Sequence, residues 1–116
     1  MSKILLVDDE EGIQLLYQEE FQDEGYEVIS AFTGEEALEK FKTEAPDLVI
    51  LDIQMPGMNG IEVLRQMKMI NPKLPIILST AYHEYKQDLS AWASDEYIVK
   101  SPDLSKLKEA VQRFLR

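Results

Sequence analysis

Apolar residues along this chain fall into two alternating patterns. Ile4-Leu5-Leu6-Val7, Leu48-Val49-Ile50-Leu51 and Ile76-Ile77-Leu78 are apolar at every position. A strand buried on both faces reads this way, and such strands belong to parallel sheets. Tyr26-Glu27-Val28-Ile29-Ser30 and Tyr97-Ile98-Val99 are further strand-like runs. Between the runs, apolar residues recur at helical spacing. Ile13, Leu16, Tyr17 and Phe21 predict a helix over 10–24, and Ala37, Leu38 and Phe41 predict a second. Ile61, Leu64 and Met67 predict a third, Leu89, Trp92 and Ala93 a weaker one over 83–93, and Leu104, Leu107, Val111 and Phe114 a last one over 103–115.

Punctuation supports these boundaries. Gly25 stands where a helix C-cap belongs, and Thr33 with Glu36 is a capping box. Pro46 ends one connection and Asn71-Pro72 another, and Asp103 or Ser101 could cap the last helix. The result is a strand–helix unit repeated five times, which implies an α/β fold with helices on both faces of a parallel sheet. The 116 residues fit one domain, spanning 1–116.

Four of the five runs end on residues that can do chemistry. The first delivers Asp8-Asp9, the third Asp52, the fourth Ser79-Thr80 and the fifth Lys100. In a parallel sheet these ends share one edge, where ligands of open α/β sheets bind. Three carboxylates without cysteine or clustered histidine favour Mg2+ or Mn2+ over zinc. Asp52 can serve as a nucleophile, as carboxylates do when an aspartyl phosphate forms. Thr80 offers a hydroxyl to a phosphoryl oxygen, with Ser79 as a rival facing the opposite way. Lys100 offers a point charge. Taken singly, each is also what a turn, a cap or a solvated side chain looks like. Their joint placement on four strand ends is the signal.

Composition narrows the classes. The net charge of −10 argues against direct nucleic-acid binding. No stretch approaches the ~20 apolar residues that span a bilayer, and no signal peptide is visible. The absence of cysteine rules out disulfides and suits the cytoplasm.

The motifs resemble the receiver domains of two-component response regulators. The resemblance rests on Ile4-Leu5-Leu6-Val7-Asp8-Asp9-Glu10, Pro46-Asp47-Leu48-Val49-Ile50-Leu51-Asp52, Met55-Pro56-Gly57-Met58-Asn59-Gly60, Ser79-Thr80-Ala81 and Tyr97-Ile98-Val99-Lys100. It implies a doubly wound, flavodoxin-like (βα)5 fold with strand order 2-1-3-4-5. It implies Asp52 as phosphoacceptor, with a histidine kinase or histidine phosphotransferase as donor. Asp8, Asp9, Asp52 and the backbone carbonyl of Gln54 match the Mg2+ ligands, Thr80 and Lys100 the phosphoryl-binding switch pair, and Tyr97 the aromatic that turns inward with the threonine. The implied output is a change in the face formed by the helix expected over 83–93, the fifth strand and the last helix, read by a downstream protein partner. A monomer or a phosphorylation-dependent dimer is compatible with this.

Some positions depart from the family pattern. Lys100-Ser101-Pro102 replaces Lys-Pro-aromatic, and Trp92-Ala93-Ser94-Asp95 replaces the usual Gly-Ala turn. Both fall on the implied output face and suggest a partner unlike the common ones. His83 is expected to flank the fourth helix, while Tyr82 and Gln54 stand where the family tunes dephosphorylation. Rival readings are a pseudo-receiver that never takes phosphate, an aspartyl-phosphate phosphatase and a flavin-binding domain. Intact Asp8, Asp9, Asp52, Thr80 and Lys100 oppose the first. The phosphatase wants Asp-x-Asp, and Asp8-Asp9-Glu10-Glu11 would repel a flavin phosphate. The chain begins close to the first strand and stops after the last helix, which suits a single-domain regulator or a receiver excised from a longer protein.

Overall fold

The computed structural model describes residues 2–54, 60–81 and 94–115. The strands are β1 (Lys3–Val7), β2 (Glu27–Ala31), β3 (Leu48–Leu51), β4 (Ile76–Thr80) and β5 (Glu96–Val99). All pair in parallel, in the order β2-β1-β3-β4-β5. The described helices are α1 (Glu11–Asp23), α2 (Gly34–Glu44), α3 (Gly60–Ile70) and α4 (Ser105–Phe114). The helix expected over 83–93, with Leu89, Trp92 and Ala93, lies outside the described residues, as do Tyr82, His83 and residues 55–59.

Strand alternation builds two cores. Leu5, Val7, Val49, Leu51, Ile76, Leu78 and Tyr97 pack on one side with Ala37, Leu38 and Phe41 of α2 and Val63, Leu64 and Met67 of α3. Ile4, Leu6, Leu48, Ile50 and Ile77 pack on the other with Tyr17 and Phe21 of α1 and Leu107, Ala110 and Val111 of α4. Each fully buried side chain of this kind stabilises the fold by about 1.5–3 kcal/mol relative to exposure.

The helix ends follow the expected chemistry in part. The Thr33 hydroxyl accepts from the Glu36 amide at 3.1 Å, while the Glu36 carboxylate reaches back to the Phe32 amide at 2.6 Å. At the end of α1, Gly25 adopts φ +93. Its amide and that of Tyr26 bond to Gln22 O and Phe21 O, a Schellman closure. This closure consumes the Tyr26 amide, so β2 runs over Glu27–Ala31 rather than 26–30.

Three expectations are corrected. Leu16 is 45% exposed, and its place on the buried face of α1 is taken by Gln14. Ile61 is likewise at the surface, and Val63 packs inward instead. The last helix begins at Ser105, with Leu104 at its N-cap and no side-chain cap. Asp103 instead closes a short turn, its Oδ1 accepting from the Ser105 amide at 2.9 Å, and Ser101 Oγ accepts from the Asp103 amide at 3.2 Å.

Candidate phosphoacceptor and metal site

The pocket is an extension of the sheet by one further rung. Val7 pairs with Leu51, and beyond that pair the Asp52 amide still donates to Val7 O at 2.9 Å. The Asp8 amide likewise donates to Ala31 O at 3.1 Å, and the Lys100 amide to Thr80 O at 2.6 Å. These bonds carry Asp8 and Asp52 onto one level of the C-terminal sheet edge, while Lys100 follows further along β5 and meets both carboxylates through its long side chain. Asp8 and Asp52 are nearly inaccessible, at 2% and 4% exposure, whereas Asp9 is exposed at the rim.

The side chains converge. Lys100 Nζ lies 2.8 Å from Asp8 Oδ2 and 3.3 Å from Asp52 Oδ2. Asp8 Oδ1 accepts from the Glu10 amide at 2.9 Å, and Asp52 Oδ1 from the Gln54 amide at 3.1 Å. The second bond ties the Ile53–Gln54 peptide to the carboxylate. Carboxylate oxygens of Asp8, Asp9 and Asp52 all lie within 4.8 Å of one another. Three hard oxygen donors at this spacing, two of them buried, fit an Mg2+-sized cation that keeps some of its water.

Electrostatics are those of a crowded acidic pocket. Burial pushes the Asp52 carboxyl up to about 6, with the Asp8 charge adding to it and Lys100 and the Gln54 amide opposing. Burial disfavours the Lys100 ammonium, but its bond to Asp8 and the charges of both aspartates outweigh that and raise its pKa.

The hydroxyl residues divide between faces. Ser79 lies opposite Asp52 in the β3–β4 register, and Thr80 one step further. Alternation along β4 puts Ser79 on the Ile77 side, towards α1, and Thr80 on the side of Leu78 and Tyr97. Thr80 is fully buried, and Tyr97, paired with Leu78, is 6% exposed in the core. Ser79 Oγ is buried without a hydrogen-bond partner at ordinary distance. Burial raises the pKa of the Tyr17 phenol, opposed by a side-chain interaction with Ser79, longer than an ordinary hydrogen bond, and by the Lys100 charge.

Two residues take roles beside the site that the sequence did not reveal. Gln14, 1% exposed on α1, donates from Nε2 to Leu6 O, Asp8 O and Ala31 O at 3.1, 3.0 and 2.9 Å. Gly60 opens α3 against the backbone that follows Asp52, donating its amide to Ile53 O at 2.9 Å. A polar residue amid the apolar face of α1 was the only available sign of the first.

Residues 4–112 match the family model of the response regulator receiver domain, and the chain belongs to that family. It is 40% identical to sporulation initiation phosphotransferase F of Bacillus subtilis, over 97% of this chain and 93% of that protein. It is also 40% identical to the alkaline phosphatase synthesis transcriptional regulatory protein PhoP of the same organism, of which it spans 48%. Among solved structures it superposes on the response regulator TrrA of Thermotoga maritima in complex with Mg2+-BeF at a TM-score of 0.95, with 52% identity over 99% of this chain and 100% of that one. TrrA in complex with the histidine kinase ThkA gives a TM-score of 0.92, with 51% identity over 100% of both chains. Receiver domains are signalling domains of two-component systems rather than enzymes in the ordinary sense. Among the described residues, no helix is long and apolar enough to cross a membrane.

Proposed function

We propose that this chain is a single receiver domain that switches state when Asp52 is phosphorylated. The observation that carries the reading is the Asp52 carboxylate, buried between Asp8 and Lys100 at the sheet edge where ligands of this fold bind. Complexes of TrrA, about half identical in sequence, with Mg2+-BeF and with a histidine kinase support a histidine kinase or phosphotransferase as donor here.

In the transfer, an Asp52 oxygen bonds to phosphorus as the phosphorus–nitrogen bond of phosphohistidine breaks, and the imidazole leaves with the electron pair. The nucleophile must be ionised. A carboxyl at about 6 is mostly so at neutral pH. Asp8, Asp9, Asp52 and the Gln54 carbonyl are the residues that would hold Mg2+, and Mn2+ satisfies the same donors. The bound cation supplies positive charge that offsets repulsion between the carboxylate and the phosphoryl group. In this reading the chain assists both its own phosphorylation and its hydrolysis.

Lys100 then turns from Asp8 towards the phosphoryl oxygens, and the Thr80 hydroxyl joins it. Because Thr80 alternates onto the Tyr97 side, that movement requires the end of β4 to shift, and Tyr97 follows. The change reaches a downstream protein through β5, α4 and the helix expected over 83–93. The protein acts in the cytoplasm as a monomer or a phosphorylation-dependent dimer.

The test is intact-mass measurement after incubation with Mg2+ and acetyl phosphate, beside Asp52→Asn. One added phosphoryl group, lost in the variant and without Mg2+, is expected. No adduct on the wild-type protein would overturn the reading.

A further inference from the structure

We infer that Gln14 is a positioning residue for the acidic pocket: its side-chain amide sets the backbone carrying Asp8 and Asp9, and thereby the affinity for a divalent cation. The inference rests on the metal site proposed above.

Gln14 shares the inward face of α1 with Tyr17 and Phe21, where an apolar side chain would satisfy packing. Its amide instead fills the place where two strands part. The β1–β2 register ends at Val7 and Ala31, and the last rung is the Asp8 amide to Ala31 O. A further rung would have used the Asp8 carbonyl. Gln14 Nε2 takes that carbonyl at 3.0 Å, together with Ala31 O at 2.9 Å and Leu6 O at 3.1 Å. Three carbonyl oxygens accept only, so the amide nitrogen must face them, its two hydrogens shared among three acceptors. Gln18 buttresses the arrangement, bonding Ser30 Oγ and lying 3.5 Å from Gln14 Oε1.

The Asp8 carbonyl belongs to the peptide that joins Asp8 to Asp9. Its orientation sets the direction in which both side chains leave the backbone. Asp8 is further held by the Glu10 amide and Lys100, but Asp9 is exposed and depends on that peptide for its place within 4.8 Å of the other two. Residues behind metal ligands typically alter metal affinity 10–100-fold when changed.

The experiment is Mg2+ titration by calorimetry on the full chain, with each variant kept well below its unfolding midpoint. Gln14→Met keeps length and removes the donor. Phe21→Leu lies on the same helix, packed against the Tyr17 and Tyr26 rings, and lowers stability without changing the amide. Gln14→Met is expected to weaken Mg2+ binding roughly tenfold, speed amide exchange at Asp9 and Glu10, and reach the wild-type phosphorylation plateau at saturating Mg2+. Phe21→Leu is expected to bind Mg2+ as the wild type does. Should Gln14→Met fail to fold, Gln14→Asn, which withdraws the donor by one bond, carries the same comparison. Wild-type affinity in the Gln14 variant, or equal weakening in Phe21→Leu, overturns the inference and leaves the metal site standing. A wild-type protein that takes up no Mg2+ removes the metal site itself, and the inference with it.

Discussion

Gly60 packs so closely on the Asp52 backbone that a Cβ there would collide with the Asp52 carbonyl oxygen and lie 2.5 Å from Ile53 Cα. Both atoms are main chain, so relief requires moving either the start of α3 or the segment that presents Asp52. Gly60→Ala is therefore expected to cost about 1–3 kcal/mol, the usual range for overpacking. It should also slow labelling of Asp52 by acetyl phosphate. Urea denaturation and a labelling time course check both, and wild-type values for the pair would show that α3 shifts freely.

Asp52 gives an unusual pH dependence. Its folded-state pKa of about 6 lies above the ordinary 3.8, so the native protein keeps this proton to higher pH than the unfolded chain. Stability from this group is present below about pH 4 and lost as pH rises through about 6. A carboxyl raised this far loses about 2–3 kcal/mol of stabilisation once it ionises. Asp52→Asn should therefore be more stable than the wild type at neutral pH without divalent metal, by about that amount. The advantage should shrink towards about pH 4. Urea midpoints in EDTA across this range measure the difference, and a variant less stable than wild type at neutral pH would contradict it.

The strands and their chemistry were readable because both are local. An apolar run followed by an acid marks Asp8 and Asp52 with no knowledge of what lies opposite, and Thr33 and Glu36 announce a helix start by themselves. Gln14 was not readable. On a helical wheel it is a break in an apolar stripe, and it acquires a role only where β1 and β2 diverge and expose carbonyls to it. Gly60 stood within a run of turn residues, which suggests backbone freedom. Its φ is not positive, and what requires glycine is the Asp52 backbone arriving from another element. Leu16 failed for a related reason: several rotations of α1 satisfy its periodicity, and the strand-end carbonyls choose the one that buries Gln14.

Ser79 tests how complete the pocket's polar network is. Its hydroxyl is buried without an ordinary partner, facing the α1 side near Tyr17. An unsatisfied buried hydroxyl costs about 1–3 kcal/mol. Ser79→Ala is expected to leave stability unchanged or raise it by up to about 1 kcal/mol, with Mg2+-dependent labelling of Asp52 retained. Thermal unfolding decides the matter, since a loss exceeding about 1 kcal/mol would mean the hydroxyl is properly bonded in solution.

Lys100 is the counter-ion of the metal-free pocket. Its ammonium meets Asp8 at 2.8 Å and Asp52 at 3.3 Å, with 15% of its side chain exposed. Removing it leaves two buried carboxylates facing each other with Asp9 nearby. Breaking a buried pair from one side costs about 3–5 kcal/mol, and partial access of water to Lys100 places this case near the lower end. Lys100→Met is thus expected to lose about 2–4 kcal/mol in EDTA. A divalent cation supplies the missing charge, so added Mg2+ should raise the unfolding midpoint of the variant more than that of the wild type. If Lys100 reads the phosphoryl group as proposed, phosphorylation of Asp52 should persist while the signalling response fails. Paired melts with EDTA and with Mg2+ test the electrostatic half. If both proteins gain equally from Mg2+, Lys100 is not what balances the acids before the metal arrives.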